Sequence, residues 1–250
     1  MKYRTKYLSG FVALSLVFFL VAAVFGGMRG ILWGTQKKTI AAGAPEDSVL
    51  LVIDPGHGGE DGGCSSADGL LEKDLNLSIA QDISAILNAA GYTTVLTRTE
   101  DMLLYDMYRD RVDYTGYKKI YDLKNRMRFT EETQAKYFVS IHMNKFPQTQ
   151  YSGLQVYYSP NDPGSVQMAD MIQNYVQKYI QPENDRQTKE STKGIYLLHR
   201  MEIPAVLVEC GFLSNAEEAT LLADASYRKT LSLGIACAIM EYCAGDSTNG

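Results

Sequence analysis

The sequence predicts a single three-layer α/β domain, with a twisted, mostly parallel or mixed sheet of about six strands flanked by helices. Three observations support this. Short, β-branched apolar runs alternate with longer segments of helical period, the pattern of a sheet covered by helices. The run Leu50, Leu51, Val52, Ile53 contains no polar residue and reads as a fully buried strand. It stops at Asp54-Pro55-Gly56 and opens into a glycine-rich loop carrying His57. In open α/β sheets the ligand crevice lies beyond the carboxyl ends of the strands, where such a loop sits.

Taken in order, the chain starts with Lys2, Arg4 and Lys6 ahead of an apolar run over 7–24. That is the charge-then-apolar layout of a secretory signal, and the run is about as long as a membrane span. Gly26-Gly27 followed by Arg29 offers no clean cleavage site, so residues 1–35 are expected to remain as a signal-anchor. The basic flank places the rest of the chain on the extracytoplasmic face. Residues 36–48 are small and polar without periodicity and read as a linker.

The globular domain is expected over 49–243, with 244–250 as a tail. After the first strand, 72–90 is helical, with Leu75, Ile79, Ile83, Ile86 and Leu87 on one face and Gly91 at the stop. A β-branched strand comes next, over 93–97. The segment 102–121 has neither period and is rich in tyrosine, so it reads as an excursion from the sheet. A helix over 122–134, a strand over 137–141 ending at His142, and a strand over 154–158 succeed it. Helical spacing returns over 165–180, and 182–193 reads as a polar loop. Strands are expected over 195–198 and 205–208, the latter ending at Glu209. Asn215 with Glu218 three residues later is a capping-box pattern, and 226–243 forms the closing helix.

Composition narrows the function classes. A formal charge of −5 gives no basic face for nucleic acid. Cys64, Cys210, Cys237 and Cys243 form no CxxC pair and are expected as free, mostly buried thiols. The glycine-rich loop lacks the Lys-Ser/Thr of a phosphate cradle.

Three apolar strands end in chemistry-bearing residues: His57, His142 and Glu209. If these strands are parallel neighbours, the three groups crowd one end of the sheet. Glu72 lies seven residues before Ile79 and shares the buried face of its helix. A carboxylate on a core-facing stripe is costly unless it is paired or holds a cation, although a helix-start glutamate also gains from the macrodipole. Two histidines and a carboxylate converging make a three-ligand zinc site with one position left for water. A second carboxylate, Glu209, could then accept the proton of that water. His199 precedes the last strand and reads as a solvated loop residue, with contact to substrate as the alternative. Cys210 points to the face opposite Glu209.

At these residues the chain resembles a known family. DPGHGGEDGG, EKDLNLSIA, FVSIHMNK and PAVLVECGFLSN are similar to the motifs of the zinc-dependent N-acetylmuramoyl-L-alanine amidases of the amidase-3 type, over about 49–243. The resemblance implies a twisted six-stranded sheet and hydrolysis of the amide between the lactyl group of N-acetylmuramic acid and L-alanine of the stem peptide. It implies one Zn²⁺ held by His57, Glu72 and His142, with Glu209 as the catalytic glutamate. TRTED, DLKNR and GFLSN look like family landmarks of structural rather than catalytic value. The tyrosine-rich excursion and the anchor resemble the germination-specific, spore-cortex branch most. That resemblance implies peptidoglycan as substrate and the cell envelope as location, and leaves open an accessory protein as a further partner. Rival readings are a general vegetative-wall amidase, a two-metal zinc exopeptidase, for which the histidines are too few, and a peptidoglycan-binding module without catalysis.

Overall fold

The computed structural model describes residues 50–105 and 118–246. The expected anchor, the linker and most of the tyrosine-rich excursion lie outside those residues. No helix among the described residues is long and apolar enough to cross a membrane.

In chain order the elements are β1 (Leu50–Pro55), α1 (Glu72–Ala89), β2 (Thr93–Leu96), α2 (Lys118–Thr133), β3 (Tyr137–Asn144) and β4 (Gln155–Tyr158). They continue with α3 (Pro163–Tyr179), β5 (Lys189–Glu190), β6 (Ala205–Phe212), α4 (Ala216–Ala223) and α5 (Ala225–Asp246). The strands form one mixed sheet in the order β2-β1-β3-β6-β4-β5. β2, β1, β3 and β6 are parallel, β4 runs antiparallel to β6, and β5 is parallel to β4. β1, β3 and β6 are therefore adjacent and end on the same side.

Each face of the sheet has its own core. Leu51, Ile53, Val139, Ile141, Val206 and Val208 pack on one face against α1, α3 and α5. Val52, Phe138 and Leu207 pack on the other against Leu197 and Leu198, with Leu123 and Met127 of α2 beside them. Each fully buried aliphatic side chain contributes about 1.5–3 kcal/mol, so both layers are needed to cover this sheet.

The helix ends obey local chemistry. At the start of α1 no side chain caps the helix; the amides of Glu72 and Lys73 donate instead to the carbonyls of Cys64 (2.9 Å) and Gly62 (3.2 Å). The loop after His57 thus serves as the cap, which ties Glu72 to that loop. Gly91, at φ 93°, stops the helix as expected. α3 begins two residues earlier than periodicity suggests, because Asp162 accepts from the Gly164 amide (2.7 Å) and Pro163 comes directly after it. Asn215 caps α4 by accepting from the Glu218 amide (3.0 Å). The Glu218 carboxylate completes no capping box, since it turns to the amides of Phe212 and Gly153 instead.

One expected strand is absent. Residues 195–198 form turns, with His199 N donating to the Ile195 carbonyl (3.1 Å) and Met201 N to that of Leu197 (2.9 Å). A short apolar run registers as buried whether it is a strand or a coil laid over a sheet, and here it covers the second core. The sixth strand is Lys189–Glu190 instead, exposed at the sheet edge within the polar loop. Two charged residues on an edge carry no apolar signal.

Candidate metal centre

The site is built on the loop that leaves β1. Asp54 is fully buried and accepts from Thr97 Oγ1 (2.6 Å), Ser140 Oγ (2.7 Å) and Arg126 Nη1 (2.5 Å). The same Arg126 guanidinium donates to the carbonyls of Pro55 (2.9 Å) and His57 (2.7 Å), and through Nε to Asp122 (2.8 Å). Arg98 donates to the carbonyls of Pro55 (3.0 Å), Gly56 (3.0 Å) and Lys73 (2.8 Å). These two guanidiniums bind three successive carbonyls of the loop. They hold His57 at φ 61°, a left-handed conformation that a non-glycine residue adopts only when its surroundings impose it.

His57, Glu72 and His142 meet there. Glu72 Oε1 lies 3.2 Å from His57 Nε2 and 3.0 Å from His142 Nδ1. One ligand atom from each residue lies within 4.8 Å of the others. Glu72 is 3% exposed, and its oxygens also accept from the amides of Cys64 (2.7 Å) and Met143 (3.1 Å). Two glycines make the room. A Cβ at Gly56 would sit 2.2 Å from the His142 ring, and one at Gly63 would sit 2.5 Å from Glu72 Oε2.

The electrostatics suit a cation. Burial works against a charged Glu72, but hydrogen bonds to His142 and His57 outweigh it and hold the carboxyl far below the usual range. Burial likewise opposes a charged His57, while the Asp61 and Glu72 carboxylates raise its pKa to about 9. Asp61 Oδ2 stands 2.9 Å from His57 Nδ1, the ring nitrogen facing away from Glu72. The contact is an ion pair rather than a hydrogen bond, since Nδ1 has no hydrogen-bond partner among the described residues, and Asp61 acts on the ring through its charge. The donor set of two imidazoles and one carboxylate fits zinc with an open position.

Glu209 stands opposite His142 in the β3–β6 register, and one extra residue on β6 bulges the pair immediately afterwards. Bulges beside active sites re-aim side chains. Its Oε2 is enclosed and has no hydrogen-bond partner among the described residues, an orphaned buried carboxylate oxygen. Burial raises the Glu209 carboxyl to about 7, opposed by the His142 imidazole and reinforced by the Glu72 charge. A carboxyl near neutrality suits a group that takes and returns a proton.

All four residues singled out by sequence are thus brought to one end of the sheet. His199 is not among them. It lies at the amino end of β6, lining a separate cleft with Asn161, Arg200 and Glu202. Cys210 is buried in the first core, as its alternation with Glu209 predicts, and none of the four cysteines forms a disulfide among the described residues. Sequence reading gave Asp61 no role, and it held Arg98 and Arg126 only within the TRTED and DLKNR stretches, as landmarks of structural value. A usable signal for Arg126 existed: Asp122, Asn125, Arg126 and Thr130 form the buried face of α2, and a polar stripe turned inward implies a network.

The fold and site define a zinc-type amide hydrolase: a mixed α/β sheet presenting a His–Glu–His cluster at its carboxyl end. Residues 51–241 match the N-acetylmuramoyl-L-alanine amidase family model. The chain belongs to that family. It is 32% identical over 198 residues to the germination-specific N-acetylmuramoyl-L-alanine amidase of Bacillus subtilis, covering 79% of this chain and 81% of that one. Among solved structures it resembles the CwlD amidase from Clostridioides difficile in complex with the GerS lipoprotein. There the identity is 35% and the TM-score 0.73, over 79% of this chain and 99% of that one. It also resembles the amidase AmiC2 of Nostoc punctiforme, at 32% identity and TM-score 0.65, over 78% and 97% of the two chains.

Proposed function

We propose that this amidase removes stem peptides from muramic acid in the spore cortex, the step that precedes formation of muramic-δ-lactam. The observation that carries the chemistry is the His57, Glu72 and His142 cluster with the unpartnered Glu209 oxygen beside it. Similarity to the germination-specific amidase of Bacillus subtilis and to the CwlD amidase supports the cortex assignment.

In this reading His57 Nε2, Glu72 Oε1 and His142 Nδ1 hold one zinc ion. Zinc bound there supplies Lewis acidity toward the lactyl carbonyl and the attacking water. Glu209 accepts the proton of that water and returns it to the departing alanine nitrogen, so one carboxylate serves as base and then as acid. Asp61 acts on the His57 ring through its charge, and Arg98 and Arg126 fix the backbone that carries it. An N-terminal anchor places the domain in the cell envelope outside the cytoplasm. An accessory lipoprotein, of the kind bound to the CwlD amidase, is a fitting partner.

The test is product analysis of spore peptidoglycan treated with the zinc-loaded full chain. Muramic acid freed of its peptide, together with free peptides starting at L-alanine, is the expected outcome. Cleavage within the glycan or within the peptide instead would overturn the assignment.

A further inference from the structure

Beside Glu209, on the β4 side, the surface carries an aromatic shelf. Phe146 and Tyr151 are 47% and 40% exposed, and their rings meet edge-on with centroids 5.4 Å apart. Exposed aromatic pairs are costly to leave in water and commonly mark a contact surface. The guanidinium of Arg186 lies over both Phe212 (4.4 Å) and Tyr151 (5.6 Å). Its Nε donates to the Ser152 carbonyl (2.7 Å), and among the described residues no carboxylate forms an ion pair with it.

The shelf is held in place and close to the metal centre. Glu218, 5% exposed, accepts from the amides of Gly153 (2.8 Å) and Phe212 (2.7 Å), so one carboxylate pins both segments that bear the rings. The Arg186 amide donates to Asn184 Oδ1 (3.0 Å), and Asn184 Nδ2 donates to the Leu154 carbonyl (2.9 Å). Gln155 pairs directly with Glu209 across β4 and β6, and its side-chain amide donates to the carbonyl of Gln187, the residue after Arg186. Tyr157, on the same face of β4 as Gln155, lies within electrostatic reach of both the Glu209 carboxylate and the Arg186 guanidinium.

We propose that Arg186 is a specificity residue that recognises a carboxylate of the stem peptide, with Phe146 and Tyr151 lying under the peptide's apolar portion. This rests on the amidase reading of the site. A guanidinium stacked on aromatic rings keeps a planar fork of donors that matches a carboxylate in bidentate fashion. The scissile amide joins the sugar to the first residue of the peptide. The peptide arm therefore leaves the metal centre along one wall, and the shelf supplies that wall with a guanidinium that has no ion pair among the described residues. A sugar ring would use the aromatic faces but would offer the guanidinium no carboxylate.

The experiment compares two synthetic stem peptides and the two matching muropeptides, one of each with free side carboxylates and one with those carboxylates amidated. Calorimetry on the stem peptides reports binding without turnover, so it stands apart from the amidase reading. The carboxylate form should bind about 10- to 100-fold tighter, the worth of a hydrogen-bonded charge pair. R186Q should level the two forms, R186K should restore part of the difference, and in turnover the effect should fall on KM rather than kcat. Equal binding of both peptides by the wild type would overturn the proposal. So would an R186Q loss of the same size on both muropeptides, which would assign the shelf to the glycan or to structure alone. Turnover of neither muropeptide, with the peptide preference intact, would sink the amidase reading and leave the carboxylate site standing.

Discussion

Arg126 Nη2 donates to the backbone carbonyl of His57 at 2.7 Å. A fully buried charge thus holds the main chain of a metal-site residue rather than its side chain. Its countercharge, Asp54, lies 2.5 Å from Nη1 and is the penultimate residue of the strand from which the loop departs. Removing one member of such a pair leaves the other buried and uncompensated, which costs about 3–5 kcal/mol. Arg126→Gln is expected to lose stability of that order in denaturant unfolding. Arg126→Lys should recover part of the stability but less of the zinc affinity, because an ammonium cannot serve Asp54, Pro55 and His57 at once.

The same pair sets an acid limit. Burial alone would raise the Asp54 carboxyl, but the Arg126 charge and hydrogen bonds from Thr97 and Ser140 hold it below its ordinary value. A group depressed on folding contributes stability that is complete above its unfolded pKa, about 3.9, and is lost as pH falls through the folded value. Unfolding free energy of the metal-free protein should therefore drop as pH falls below about 4. In Asp54→Asn that part of the acid slope should be missing, on a protein already less stable at neutral pH. An unchanged slope in the variant would assign the acid loss to other carboxylates.

Glu72 and Glu209 separate by metal analysis. Glu72 Oε1 touches both imidazoles, whereas Glu209 has one enclosed oxygen with no partner. Glu72→Gln should lower zinc content and activity together. Glu209→Gln should keep zinc near one equivalent while losing roughly 10²- to 10⁴-fold in rate. Chelation should lower the wild-type Tm by about 5–10 °C if zinc is present near a hundredfold above its Kd. In Glu72→Gln the chelator should have little left to remove. A zinc-free Glu209→Gln beside a zinc-loaded Glu72→Gln would reverse the two roles.

Asp61 gives a finer reading of the same centre. Its carboxylate lies 2.9 Å from His57 Nδ1 and is lowered to about 2, chiefly by that imidazole. Losing such a charged partner commonly weakens metal affinity about 10- to 100-fold. Asp61→Asn should do so in a chelator competition while leaving the fold intact, since Asp61 is partly exposed. Unaltered affinity would make Asp61 a surface group only.

The sequence disclosed β1, β3 and β6 because each carries a mostly apolar run ahead of its chemistry-bearing residue, although β3 and β6 continue past His142 and Glu209 to Asn144 and Phe212. It disclosed Glu72 because a single carboxylate stands there in line with Leu75, Ile79, Ile83 and Leu87. β5 stayed hidden, since Lys189–Glu190 is a charged edge and its pairing depends on Tyr157 and Tyr158 being already in place. The run 195–198 misled for the opposite reason: Leu197 and Leu198 are buried by covering a sheet, not by joining one. Arg98 and Arg126 reach backbone carbonyls, and a carbonyl leaves no trace in residue type. The TRTED and DLKNR stretches marked both arginines as structural, but which carbonyls they hold comes from the fold.

Gly56 offers the strictest test of the geometry, because its constraint comes from one identifiable ring. A Cβ there would lie 2.2 Å from His142 Cε1 and Nε2 and 2.8 Å from Cδ2, closer than any real side chain stands. Its backbone is not in the left-handed region, so alanine brings no conformational strain of its own. Either the ring leaves its place or the loop moves away, and each breaks the cluster with Glu72. Gly56→Ala should fold with about 1–3 kcal/mol of overpacking cost and bind zinc far more weakly. Gly62→Ala is the control, since its Cβ would meet only Leu71 Cδ2 at 3.9 Å. The decisive measurement is a double-mutant cycle in the metal-free protein. If the ring is the obstacle, Gly56→Ala should cost little once His142 is already alanine, whereas the full penalty in that background would place the strain in the loop backbone.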